Sequence, residues 1–225
     1  MTKSMKWTDG LILTFSALLI GLSAWIMIRS GTFNFALYAD QKLSWHLIRS
    51  SGIVAYVLLL ASTVWGLFLS SQLVKDWSPG PISMTLHSTI SWLALLLGLG
   101  HALLLMADKY FTFSLSDVLV PFSGPYRPEA VGLGTLSFWI LLAIALSFPL
   151  RKLMGHSWWK RLHYLSYAAF VMVSAHGLFA GTDGVSAGFR ILVGGGLALT
   201  VLLLGVRLGR AQTKPAARAA RAASR

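Results

Sequence analysis

The sequence predicts an all-α membrane protein, a bundle of six transmembrane helices with both termini in the cytoplasm. Apolar residues make up 56% of the 225 residues and charged residues only 12%, whereas about a quarter of a soluble domain is charged. The apolar residues also fall into runs near the length that a helix needs to cross the hydrocarbon. These runs must be helical, because lipid offers no partner to free backbone polar groups.

Six apolar runs define the predicted transmembrane domain, which is flanked by a short N-terminus and a C-terminal tail. The runs span residues 11–28, 52–70, 82–106, 132–149, 162–181 and 191–206. The first run follows two lysines as a signal peptide would, but it is long for one and no small-x-small cleavage site follows, so we expect it to be retained. We therefore predict a cytoplasmic N-terminus at 1–10, a transmembrane domain at 11–206, and a basic tail at 207–225. We expect the tail to be disordered at the anionic inner leaflet.

Orientation follows from the basic residues. With the N-terminus inside, thirteen of the 19 Lys and Arg residues fall on the cytoplasmic side, which is the usual bias of membrane proteins. The same bias accounts for the net charge of +12, so we expect lipid and no nucleic acid as a partner. We predict a multi-pass protein of the cell (plasma or inner) membrane.

Cysteine is absent from the chain. Disulfides, thiolate metal sites, cysteine-ligated iron–sulfur clusters and covalent c-type haem attachment are therefore excluded. Any haem must be held non-covalently, by His or Met.

Four histidines lie inside the third and fifth runs, as the pairs His87 with His101 and His163 with His176. Spacings of fourteen and thirteen residues separate the members of each pair by roughly 20 Å along a helix. Both runs go from inside to outside, so each pair has one member near each face. These depths suit two stacked haems, each held by two histidines, in a bilayer about 30 Å thick.

The direction in which the histidines point is less regular. Fourteen residues at 100° each bring His87 and His101 to within about 40° of one another, whereas His163 and His176 differ by roughly 140°. The fifth helix must therefore tilt, or be locally over- or underwound. Alternatively, an intramembrane histidine can simply hydrogen-bond to a neighbouring helix. A proton relay or metal pathway also uses histidines but usually adds carboxylates, and none of the six runs contains Asp or Glu.

Small and basic residues near the histidines are secondary candidates. Gly98, Gly100 and Gly177 could make space for a flat macrocycle or serve ordinary helix packing. Arg49 and Arg161 could pair with haem propionates, since guanidinium matches carboxylate well, although Arg161 is equally a plain positive-inside residue. The two other histidines, His46 and His156, fall in predicted loops and are expected at the surface.

These motifs resemble the ferric reductase-like transmembrane domain over roughly residues 45–182. The family includes eukaryotic ferric reductases, NADPH oxidases and the haem subunit of the bacterial periplasmic methionine-sulfoxide reductase system. The resemblance rests on these features: His46-Leu-Ile-Arg49-Ser-Ser-Gly52, the His87…His101 pair, Arg161-Leu-His163-Tyr, and His176-Gly177. It implies two b-type haems, the inner bound by His87 and His163 and the outer by His101 and His176, that carry electrons to an external acceptor.

One departure from the family concerns the electron donor. Full-length reductases append flavin- and nicotinamide-binding domains, whereas only nineteen residues follow the last run here, without a Gly-rich dinucleotide loop. We therefore expect a separate flavoprotein or a membrane quinol to load the haems, with flavin present only in such a partner. Three alternatives stay open: a haem subunit for a periplasmic methionine-sulfoxide reductase, a histidine-lined metal or proton transporter without haem, and a structural scaffold.

Overall fold

The computed structural model describes residues 43–73, 79–108 and 110–223, with side chains through Arg210. The chain divides into two units, Met1–Leu43 and Ser44–Arg225, and the structure below is that of the second. The predicted N-terminus and the first predicted run, 11–28, lie outside the described residues.

The described residues form helices and no strand, which confirms the all-α class. The long helices are α1 (Leu43–Ser71), α2 (Gly80–Leu104), α4 (Pro128–Ser147), α6 (His156–Ala180) and α7 (Ala187–Ala223); the short ones are α3 (Leu115–Leu119) and α5 (Arg151–Met154). Single 3₁₀ turns span Leu105–Ala107 and Thr182–Val185. Within this part of the chain, five helices are long and apolar enough to cross a membrane, and they contain most of each of the second to sixth predicted runs. The crossing predicted at residues 11–28 and the cytoplasmic orientation of the termini remain predictions.

Proline and glycine mark where helices begin. Pro128 opens α4, where its missing N–H costs nothing and its fixed φ suits the first turn. Gly155, at φ +80°, separates α5 from α6, a backbone conformation that favours glycine. Ser114 and Asp117 form a reciprocal capping box on α3 in the loop between α2 and α4. Hydrogen bonds from Ser114 lower the pKa of the Asp117 carboxyl.

Neighbouring long helices run antiparallel, so α2 and α6 are parallel to one another. The most extensive backbone packing is that of α4 along α6, whereas the backbones of α2 and α6 make little close approach. The main core cluster joins α1, α6 and α7 through Tyr56, Phe170 and Val193. Within it the rings of Tyr56 and Phe170 stack with centroids 5.8 Å apart, and the Tyr56 hydroxyl lies 3.2 Å from Ser174 Oγ.

The C-terminal segment differs from its prediction. Helix α7 continues to Ala223, through most of the tail that we expected to be disordered. Alanine and arginine are among the best helix formers, so this composition extends the helix once the preceding span has nucleated it.

Candidate functional site

The structure brings the four intramembrane histidines together as two facing pairs. The ring centroids of His87 and His163 lie 6.2 Å apart, with an angle of 70° between the ring planes. Those of His101 and His176 lie 6.1 Å apart, at 80°. Each pair joins α2 to α6, and the two pairs lie at opposite ends of these helices.

These separations suit two imidazoles on opposite sides of one metal ion. A metal–imidazole bond is about 2.0–2.1 Å, and the ring centroid lies about 1.1 Å beyond the nitrogen, so the two centroids would be about 6.3 Å apart. Two imidazoles in edge-to-face contact without a metal have centroids about 4.5–7 Å apart, a range that includes both values. Both pairs therefore fit a bis-histidine metal site as well as an edge-to-face ring pair.

Hydrogen bonds to backbone carbonyls set the tautomer of three of the rings. The Nδ1 atoms of His101, His176 and His87 lie 2.8 Å from Ile48 O, 2.9 Å from Ala130 O and 3.1 Å from Ser62 O, respectively. A carbonyl oxygen can only accept, so each Nδ1 carries the proton. The lone pair then resides on Nε2, which is the form that binds metals, with the second-shell partner orienting the ring.

Each of these rings also rests on a glycine four residues after the carbonyl that it contacts. A Cβ built on Gly52 would lie 2.8 Å from His101 Cε1, and one on Gly134 would lie 2.7 Å from His176 Nδ1. A Cβ on Gly66 would lie 3.1 Å from His87 Cε1. The carbonyl of residue i and the Cα of residue i+4 lie on the same helix face. Without a side chain at i+4, the imidazole can reach the carbonyl.

The glycines singled out from the sequence have other surroundings. A Cβ on Gly98 or Gly100 would meet open space, and one on Gly177 would contact the Phe189 ring at 3.1 Å. The glycines that cradle the rings lie instead on the neighbouring helices α1 and α4. A signal for two of them was present in the sequence, because Gly52 and Gly66 repeat the fourteen-residue spacing of the histidines.

Two serines support His87: Ser91, a small residue near it in the sequence, and Ser62 on α1, which sequence reasoning missed. Ser62 Oγ lies 3.3 Å from His87 Nδ1 and 2.6 Å from Ser91 Oγ. Ser91 in turn donates to the His87 carbonyl at 2.7 Å. This small hydroxyl network links α1 to α2 beside one ring of the first pair.

His163 lacks the carbonyl anchor of the other three rings. Its Nδ1 and the nearby Trp159 Nε1 are buried and have no hydrogen-bond partner in the described part of the chain. The two rings stack with centroids 5.1 Å apart. Burying a polar group without a partner costs about 1–3 kcal/mol, so two such groups side by side mark the surroundings of His163 as incomplete.

The backbones of α2 and α6 make little close approach, so the paired histidines meet through their side chains. Helix α6 is uninterrupted from His156 to Ala180, so two rings roughly 140° apart on an ideal helix both meet their partners without a break in the helix.

The arginines predicted to contact propionates have other partners. Arg49 forms an ion pair with Asp183, including an Nε–Oδ2 distance of 2.6 Å, next to the Ile48 carbonyl that holds His101. Arg161 is exposed and lies over the Trp158 ring, 5.0 Å from its centroid. The pairing of either arginine with a propionate remains a prediction.

Arg207 is a cation near the first pair that sequence reasoning missed. It donates to Tyr167 OH at 3.0 Å and Tyr164 OH at 2.9 Å, and it lies within electrostatic range of His163. In the sequence it looked like one more basic residue at the start of the tail. Only the packing of α7 against α6 brings it to Tyr164 and Tyr167, which follow His163 on α6.

The two remaining histidines are surface residues, as expected, but they do not lie in loops. His46 lies in the first turn of α1 and His156 opens α6, and both are exposed. Both helices begin several residues before the predicted apolar runs, so each histidine lies in a first turn.

Across the described residues, no group of three or more His, Asp or Glu side chains could hold a metal ion. The facing pairs instead offer two ligands each, which suits a macrocycle that itself supplies four equatorial nitrogens. The chain matches no family model, no curated protein and no solved structure. The resemblance to ferric reductase-like domains therefore remains a prediction that rests on the residues themselves.

Proposed function

We propose that the protein is a transmembrane electron carrier with two b-type haems, one bound by His87 and His163 and the other by His101 and His176. The observation that carries this proposal is the centroid separation of 6.1–6.2 Å in both pairs. A haem bound by two histidines has no open iron position, so it supplies one-electron transfer rather than substrate binding.

The donor set of the chain fits this group. Three of the four ligands have Nδ1 committed to a carbonyl, which leaves Nε2 as the metal-binding atom. The glycines on α1 and α4 let three of the imidazoles sit close to the backbone. A histidine-lined transporter usually adds carboxylates inside the membrane, and none of the predicted runs contains Asp or Glu.

We expect other residues of the chain to contact the propionates of a haem bound by His87 and His163. Arg207, anchored by two tyrosine hydroxyls, supplies a fixed cation on the His163 side. Trp159 supplies a buried N–H without a protein acceptor. Arg207 therefore replaces Arg161 as our candidate for the inner propionate cation.

Two buried aromatic residues, Tyr56 and Phe170, lie in the main core cluster. Phe170 is fully buried and lies on α6 between His163 and His176, stacked on Tyr56. About 10 Å of helix separates it from each histidine. This cluster joins α1, α6 and α7.

The electron donor and acceptor lie outside the chain in this proposal. A flavoprotein reductase or a membrane quinol would reduce the haem bound by His87 and His163. An external acceptor would then take electrons from the haem bound by His101 and His176, on the other side of the cell membrane. His101 and His176 would together occupy the ligand positions of a bound haem iron, so electron transfer to the acceptor would be outer-sphere.

An optical experiment tests the proposal. The full-length chain, expressed with adequate haem supply, should give a reduced-minus-oxidised b-type spectrum and two haems per chain by pyridine haemochrome. His101→Ala and His176→Ala should each remove the outer haem, and His87→Ala the inner one. Absence of a Soret band, or two haems retained in all three variants, would refute the assignment and favour the haem-free transporter.

A further inference from the structure

A cavity of about 640 Å³ opens at the end of the bundle that holds His101 and His176. It lies between the end of α6, the turn Thr182–Val185 and the start of α7. Its apolar wall comes from Leu178, Val193 and Leu197, and Gly194 keeps one side open. The volume is within the usual range of small-molecule sites.

Two arginines complete the lining, and each is held in place by a single backbone carbonyl. Arg127 Nη1 donates to Phe179 O at 2.6 Å, and Arg190 Nε donates to Gly184 O, also at 2.6 Å. A guanidinium has five N–H donors, so most of each donor set remains available to a ligand.

An acidic residue of the same turn is already engaged. Asp183 lies in the same turn but pairs with Arg49, and among the described residues neither cavity arginine forms an ion pair with a carboxylate. Two fixed cations over an apolar wall match a ligand with an anionic head and an apolar body. The cavity lies where α6 ends and α7 begins, which is headgroup depth if these helices cross the bilayer.

We propose that this cavity binds an anionic phospholipid of the leaflet at the His101/His176 end. The phosphate accepts hydrogen bonds from Arg127 and Arg190, since guanidinium and phosphate match in geometry as well as charge. One acyl chain lies against Gly194 and Leu197. The proposal does not depend on haem binding.

Native mass spectrometry of the full-length chain in neutral detergent tests the site. Phosphatidylglycerol should be retained in preference to phosphatidylcholine with the same acyl chains. The double substitution R127Q/R190Q should reduce this preference at least about fivefold, because it removes the charge-assisted hydrogen bonds to phosphate. R151Q/K152Q is the charge-matched control, since it also removes two positive charges but neither residue lines the cavity.

A second pair of variants keeps the test valid if the arginine changes disturb folding. Gly194→Leu fills the apolar part of the cavity and should reduce retention of both lipids. Gly195→Leu is its control, because a Cβ at either glycine meets open space but only Gly194 lines the cavity. Both changes favour the helix by replacing glycine with leucine.

Three results would overturn the proposal. Equal retention of the two lipids by the unaltered chain would show no anionic site. Unchanged preference in R127Q/R190Q, or equal loss in Gly194→Leu and Gly195→Leu, would place the lipid elsewhere. Displacement of phosphatidylglycerol by millimolar inorganic phosphate alone would assign the arginines to a free anion.

Discussion

Alanine substitution of the glycines that cradle the histidines gives a graded prediction. In Gly52→Ala the new Cβ would lie 2.8 Å from His101 Cε1 and 2.9 Å from Nδ1. Carbon atoms prefer about 3.5 Å or more, so the ring must move by about 0.7 Å. A movement of that size away from α1 would lengthen the 2.8 Å bond from His101 Nδ1 to Ile48 O to roughly 3.5 Å, beyond a useful hydrogen bond.

The same displacement would move Nε2, whereas a metal bond tolerates only about 0.2 Å. Losing a second-shell partner of a metal-binding histidine typically costs about 10–100-fold in metal affinity. We therefore expect Gly52→Ala and Gly134→Ala to lose most of the outer haem. Gly66→Ala, whose Cβ would lie 3.1 Å from His87, should lose less of the inner one.

Haem per chain, measured by pyridine haemochrome on protein purified at equal yield, is the assay. Gly195→Ala and Gly205→Ala on α7 are the controls, since a Cβ there also meets open space and alanine is the better helix former. Two haems per chain with an unchanged spectrum in both Gly52→Ala and Gly134→Ala would refute the cradle argument. Equal haem loss in the controls would do the same.

Three further predictions concern the surroundings of the pairs. Asp183→Asn should lower the free energy of unfolding by about 1 kcal/mol, the scale of a partly exposed ion pair, and should weaken the outer haem selectively; chemical denaturation and the haem count measure both effects, with Asp117→Asn as control. Arg207→Gln should lower the midpoint potential of the inner haem by roughly 20–60 mV, up to a tenfold change in a one-electron equilibrium, because a nearby cation favours the reduced iron; redox titration should show no such shift for the exposed Arg161→Gln. The ring planes cross at 70° and 80°, so both ferric haems should give strongly anisotropic low-spin EPR signals, and a rhombic signal typical of parallel planes would contradict this geometry.

Much of the fold could be predicted from the composition of the chain and the length of its apolar runs. Five of the six predicted crossings correspond to long helices, because lipid leaves an apolar segment no other way to satisfy its backbone. Helix ends were less readable. The first turns of α1 and α6, with His46 and His156, lie outside the predicted runs although they contain Trp45 and Trp158. The tail is helical through Ala223, although Pro215 is unfavourable inside a helix.

Part of the candidate site could be predicted from the sequence. Matching depth alone paired His87 with His163 and His101 with His176, because position along a helix scales directly with residue number. The supporting residues depend on which helix lies beside which, and that is a matter of packing. Gly134 and Ala130 on α4, Ser62 on α1 and Arg207 on α7 are far in sequence from the rings that they support.

The sequence by itself determined that long apolar helices carry two pairs of imidazoles at two depths. Tertiary structure decided that α1 and α4, rather than the residues next to each histidine, hold the rings, and that Arg49 pairs with Asp183 while Arg207 contacts Tyr164 and Tyr167. Depth is a one-dimensional property that residue spacing encodes. The neighbour of a side chain depends on the rotation and tilt of each helix, which are set by packing summed over the whole bundle.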